Sequence, residues 1–214
     1  MVKEIELTIP TDWDGVSLKK YLALKDEMKN YEDDEEAGTA VMLWHLCGLD
    51  PSFLKSISMQ DYSAIRQELA SFINRTELPL QRFVWINGVE YGFEPNLSKM
   101  SYGAYIDITQ YKEITINDNW AKIMNIVYRP VTEKRGEWYS IKAYDGDTDS
   151  EKWLDVTMDK HFGCLFFFVN LSTDLLKSTQ KSLMEKELSP SINSILERSG
   201  EIIQQSLNWR KETF

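Results

Sequence analysis

Apolar residues recur at helical spacing through most of the chain and switch to alternation in a few short stretches. Ile5, Leu7 and Ile9 alternate with polar residues, which predicts a strand over 3–9 ended by Pro10. Leu18, Tyr21, Leu22 and Met28 mark a first amphipathic helix. A second, over 35–47, carries Val41, Leu43, Trp44, Leu46 and Cys47. The acidic run 32–36 suits its positive end and Gly48 its left-handed cap. Asp50-Pro51 restarts a helical turn. Ser58 and Asp61 form a capping box for a helix reaching about Asn74, with Tyr62, Ile65, Leu69, Phe72 and Ile73 on one face.

The densest local signals lie between Arg82 and Pro130. Arg82-Phe83-Val84-Trp85-Ile86 and Val89-Glu90-Tyr91-Gly92-Phe93 are β-prone runs separated by Asn87-Gly88. That dipeptide accepts positive φ at both positions and fits a type I′ turn. Pairing 82–86 with 89–93 is expected to hold Trp85 and Tyr91 on one face, which a one-residue slip would part. Ser98 or Ser101 can cap a helix with Tyr102, Tyr105, Ile106 and Ile108. Residues 117–119 can cap another, with Trp120, Ile123, Met124, Val127 and Tyr128 as its stripe. Pro130 must end that helix, and Arg129 is expected to bond a carbonyl or carboxylate near its end. Residues 137–144 read as extended, with Tyr139, Ile141 and Ala143 facing away from Trp138, Ser140, Lys142 and Tyr144.

A helix over 158–187 follows, with 170–173 as a candidate break. Its Phe166-Phe167-Phe168 run reads as a buried central helix, with a protein contact as the alternative. Ser189-Pro190 stops it and opens a final helix with Ile192, Ile195, Leu196, Ile202, Ile203 and Leu207 on one stripe. The stripe is too narrow for a helix buried on all sides, so this segment needs the parent domain or a partner to lie on. Ile195, Ile202, Leu207, Trp209 and Phe214 are the candidate contact residues. The fold expected is mainly α with a small β component (α+β). A helical domain over 1–188 holds one central β-hairpin, 82–93, and a C-terminal helical segment, 189–214, follows.

Composition narrows the function. With 43% hydrophobic and 12% aromatic residues the chain can bury a core, which argues against disorder. A net charge of −10 argues against direct nucleic-acid binding. Cys47 and Cys164 sit in apolar helical patterns, as buried thiols of a reducing compartment do. The N-terminus lacks the apolar stretch of a signal peptide, and no run reaches the roughly 18 residues of a membrane span. A soluble protein is expected.

Candidate chemistry is sparse. His45, Cys47, His161 and Cys164 are zinc-type residues, but a pair two apart on a helix diverges. Residues 145–149 imitate the start of a calcium loop, yet Ser150 stands where that loop needs Gly and Val156 where it needs Glu. There is no Gly-x-Ser-x-Gly and no Gly-rich phosphate loop. No metal, cofactor or catalytic residue is expected, and the protein reads as a non-enzyme.

The motifs of 82–188 resemble a protein type of the crAss-like tailed bacteriophages. They are the Asn-Gly hairpin ending in Tyr91-Gly92-Phe93-Glu94-Pro95-Asn96-Leu97, the stretch Lys99-Met100-Ser101-Tyr102-Gly103-Ala104-Tyr105-Ile106-Asp107, the tripeptide Tyr128-Arg129-Pro130, and 139–145 before a Phe-rich helix. Upstream, Leu46-Cys47-Gly48-Leu49-Asp50 followed by 58–62 is similar to small helical proteins of phage tail and baseplate assembly. The resemblance implies a virion structural protein, a subunit of a head–tail connector or tail ring, with portal, tail or ring components and copies of itself as partners. A tail assembly chaperone absent from the mature particle is the alternative. The virion, and the host cytoplasm during assembly, are the locations implied.

Overall fold

The computed structural model describes residues 7–31, 33–75, 77–111 and 113–185, the last five as backbone only. They form two compact units, one within 1–76 and 154–159, the other within 77–153 and 160–214.

The first unit is helical. Its elements are α1 (Leu18–Met28), α2 (Glu35–Met42) and α3 (Met59–Ile73). Ser17, Asp34 and Ser58 cap them, each side chain accepting backbone N–H groups of the first turn. A π-helical turn, Leu43–Cys47, extends α2 and ends at Gly48 with φ of 69°, the left-handed cap a glycine adopts without strain. At the start of α1, Leu18 N–H donates to Val156 O (2.9 Å) and Lys19 N–H to Leu154 O (2.8 Å), while Met158 N–H returns to Val16 O (2.7 Å). Residues 154–158 therefore satisfy helix donors that would otherwise need water. Trp13 fills the centre, 4.3 Å from Phe72 and edge-on to Tyr21 at 5.8 Å.

The second unit holds a four-stranded antiparallel sheet in the order β1-β2-β3-β4: β1 (Phe83–Ile86), β2 (Val89–Phe93), β3 (Tyr128–Arg135) and β4 (Trp138–Ile141). Asn87 and Gly88, with φ of 52° and 79°, make the expected type I′ turn. The register is Ile86 to Val89 and Phe83 to Gly92. Phe93 anchors one face, with Tyr128 at 5.2 Å and Phe167 at 5.1 Å. Tyr128 and Tyr91 lie against Trp153 at 5.3 and 5.7 Å. Helices α4 (Tyr102–Thr109), α5 (Trp120–Val127) and α6 (Met158–Glu185) complete the described elements, the first residues of α6 belonging to the first unit. The α5 helix is buried at seven of its eight positions and passes directly into β3.

Several expectations are corrected. The single central hairpin is one half of a four-stranded sheet, so the chain is α+β with the sheet as a layer of its own. The outer half of β3, Thr132 to Arg135, is exposed on both faces, and its charged sequence carries no apolar alternation to reveal it. Trp85 pairs with Glu90 and Tyr91 with Val84, so Trp85 and Tyr91 lie on opposite faces, because directly opposed residues share a face and neighbours alternate. The α6 helix also runs through 170–173 without a break. Residues 7–10 are in no strand; the rest of that expected strand and the segment 189–214 lie outside the described residues.

Candidate interaction surface

Gly92 sets the shape of the sheet. A Cβ there would lie 2.9 Å from Ile141 Cγ2, 3.0 Å from Tyr139 Cε2 and 3.1 Å from Val131 Cγ2. The β3–β4 ribbon curls over β2 and uses the missing side chain as its seat, helped by an irregularity between Val131 and Glu133 that bends the strand. The Tyr139 hydroxyl then donates to Phe93 O (2.7 Å). Tyr139 meets Phe83 edge-on at 4.7 Å, Lys134 Nζ lies 3.6 Å above the Phe83 ring, and the same ammonium bonds Glu90 at 2.7 Å. The curl closes over Phe83 and stops short of Trp85, which is 67% exposed.

Where α5 becomes β3, Arg129 meets Glu94 in a buried ion pair through Nη2, the carboxylate expected near the helix end. Glu94 N–H donates to Val127 O (2.7 Å), which holds the acid beside that end. Tyr144, whose hydroxyl donates to Asp107, lies with its ring 5.9 Å from the Arg129 guanidinium carbon. Burial, with the Asp107 carboxylate, pushes the Tyr144 hydroxyl well above the ordinary tyrosine range. A shallow cleft lies beside Tyr91, Asn125, Tyr128, Tyr144, Asp145 and Asp147. Its acidic loop is tied back by Lys142 to Asp145 (2.6 Å) and Lys152 to Asp147 (3.3 Å). The Lys142 hydrogen bond holds Asp145 below the usual carboxylate range, and the Asp149 amide does the same for Asp147. Those carboxylates are already engaged by protein donors.

The histidines have structural partners. Buried His161 accepts the Trp120 indole N–H at Nδ1 (3.1 Å), which leaves its proton on Nε2 in the neutral ring. Asn125 links Trp153 (3.3 Å) to Asp147 O (2.8 Å) nearby. In the first unit His45 Nε2 lies 2.6 Å from Glu27. Burial pushes both thiols, Cys47 and Cys164, upward, away from the reactive thiolate form. Among the described residues no three His, Cys, Asp or Glu side chains gather as metal ligands, and no helix is long and apolar enough to cross a membrane.

Exposed aromatics are the conspicuous feature of the second unit's surface. Tyr102 and Tyr105 on α4 are 77% and 55% exposed, with Ile106 beside them, and Trp138 on β4 is 55% exposed. The helix was legible from its Ser101 cap, but the outward direction of these residues was not. A signal was present: an eight-residue helix apolar at 102, 104, 105, 106 and 108 has more apolar surface than one neighbour can cover, and only Ala104 is buried. The contact residues expected from sequence, Ile195, Ile202, Leu207, Trp209 and Phe214, lie outside the described residues. No protein-family model, curated protein or solved structure matches the chain.

Proposed function

We propose that the protein is a non-enzymatic structural subunit of a tailed-bacteriophage virion, part of a head–tail connector or tail ring. The observation that carries this reading is the group of exposed aromatic and apolar side chains in one small unit: Trp85, Tyr102, Tyr105, Ile106 and Trp138. Aromatic side chains supply the large contact areas of protein interfaces, and on α4 Tyr102, Tyr105 and Ile106 expose theirs side by side on one short helix. The resemblance of the hairpin, the Tyr-Arg-Pro corner and the Phe-rich helix to crAss-like phage proteins supplies the setting. Portal, tail or ring components and further copies of the chain are the partners of this reading, and the virion is its location. A ring closes through heterologous contacts, in which one patch meets a different patch on the neighbour.

Quantitative mass spectrometry of purified virions tests it. The protein is expected at a fixed copy number per particle, a multiple of the ring symmetry. Its absence from virions, combined with co-purification with a tail protein from infected cells, would replace the structural role with that of an assembly chaperone.

A further inference from the structure

The proposed role draws on the Trp85 side chain but leaves the backbone edge of β1 unused. Phe93 N–H donates to Arg82 O (2.8 Å), and Val84 and Ile86 stand opposite Tyr91 and Val89. In an antiparallel ladder the backbone groups of alternate residues point to alternate sides, so those of 82, 84 and 86 are turned inward to β2. The N–H and C=O of Phe83 and Trp85 are turned outward, on the edge strand of the sheet. Natural edges are blunted by charge, proline or a bulge; Phe83-Val84-Trp85-Ile86 has none of these.

We propose that a second copy of this chain pairs with that edge, β1 against β1 in antiparallel orientation about a twofold axis at Val84. This register opposes Phe83 of each copy to Trp85 of the other, so both residues with outward groups exchange their hydrogen bonds. It makes two aromatic cross-strand pairs, each setting the exposed Trp85 of one copy beside the Phe83 of the other, whose ring the β3–β4 curl covers in part. It also sets Arg82 opposite Ile86, so no like charges meet within the strand. Registers centred on Phe83 or Trp85 fit less well: the first calls on Gln81, whose carbonyl already accepts the Tyr128 hydroxyl (2.6 Å), and the second runs Phe83 onto the Asn87 turn. Self-complementarity of one edge is what an isologous contact requires, and this selects a second copy over an unrelated strand. The contact is distinct from the heterologous one of a ring, so each can fail without the other. Because each copy carries a net charge of −10, the dimer should strengthen as salt screens the repulsion.

Sedimentation velocity of the full chain under reducing conditions, across protein concentration and at low and high salt, is the test. A monomer–dimer equilibrium that shifts toward dimer with salt is expected. Trp85→Lys should weaken association at least tenfold without lowering the melting temperature. In a Cys47→Ser background, Phe83→Cys and Trp85→Cys proteins mixed and oxidised should form a disulfide faster than either alone. A wild-type protein that stays monomeric at high concentration and high salt would overturn the proposal. So would Trp85→Lys associating as strongly as wild type, including as a ring that persists, or a mixture that cross-links no faster than its components.

Discussion

Arg129 reaches Glu94 through one corner of its guanidinium, Nη2, while Nε and Nη1 are buried without a hydrogen-bond partner among the described residues. The pair is thus single-pointed and not the bidentate fork that makes arginine irreplaceable. Removing one member strands the other charge inside the protein, which costs about 3–5 kcal/mol, whereas replacing both by apolar groups is close to neutral. Arg129→Met should therefore destabilise by about 3–5 kcal/mol, and adding Glu94→Leu should restore most of the loss. Arg129→Lys, which keeps a charge for the single contact, should cost only about 1 kcal/mol. Chemical denaturation of the three variants checks this; a double variant as unstable as Arg129→Met would contradict it.

Gly163 tests a contact with backbone. A Cβ at this position in α6 would come within 2.5 Å of Pro79 O and 3.1 Å of Pro79 C. Alanine would normally strengthen a helix by about 1 kcal/mol over glycine, but backbone cannot rotate out of the way as a side chain can. Overpacking of about 1–3 kcal/mol or more should win, so Gly163→Ala is expected to lower the melting temperature. Gly92→Ala should do the same, since its neighbours are two branched side chains and a ring. Gly15→Ala, with nothing within 4 Å, is the control and should leave stability unchanged or slightly raised. Calorimetry on the three proteins gives the comparison.

Several tyrosines predict the alkaline limit of the fold. Burial pushes the hydroxyls of Tyr21 and Tyr128 well above the ordinary tyrosine value of about 10, and those of Tyr139 and Tyr144 are raised as well. The unfolded chain loses these protons near pH 10 while the folded chain keeps them. Their contribution is fully present below the unfolded value and is lost as pH rises toward the folded one. Stability should be flat through neutral pH and fall steeply above about 10. Ultraviolet absorbance of tyrosinate, followed with circular dichroism, should show these tyrosines ionising together with unfolding. A full complement of tyrosinate before any loss of ellipticity would contradict the burial.

The parts of this fold that sequence reveals are those in which one residue type has one physical use. Ser58 with Asp61, the acidic run 32–36 and Asn87-Gly88 each announced a boundary that the structure reproduces, because capping, helix-end charge and positive φ act locally, whereas the helix expected to reach Pro130 ends at Val127, with Tyr128 already in β3. Residues 137–144 read as extended and hold β4, but its partner β3 was hidden because Glu133, Lys134 and Arg135 face solvent and because Gly136, with φ of 60°, makes the turn without an Asn-Gly signature. Gly92, by sequence one member of a β-prone run, is the seat for Ile141, Tyr139 and Val131, a long-range relation no local pattern carries. The exposure of Tyr102 and Tyr105 depends likewise on what α4 fails to touch.

The C-terminal segment offers the most direct test of assembly. Among the described side chains of α6 the last buried one is Phe168, and none between Val169 and Gln180 is buried, so that stretch of the helix adds nothing to the core. Beyond it, Ile192, Ile195, Leu196, Ile202, Ile203 and Leu207 keep a helical stripe interrupted by Gly200. A lone helix of this length is marginal in water and gains its order from a surface. With a partner on this segment, Trp209 and Phe214 would be its aromatic anchors, and Arg198, Arg210 and Lys211 would steer docking on an acidic neighbour. If the proposed virion role holds, truncation after Leu188 should leave the melting temperature unchanged and abolish incorporation into particles, measured by complementing a phage that lacks the protein. Leu207→Asp in the full chain should reproduce the assembly defect. A truncated protein that unfolds would instead assign the segment to the core, and one that assembles normally would remove it from the interface.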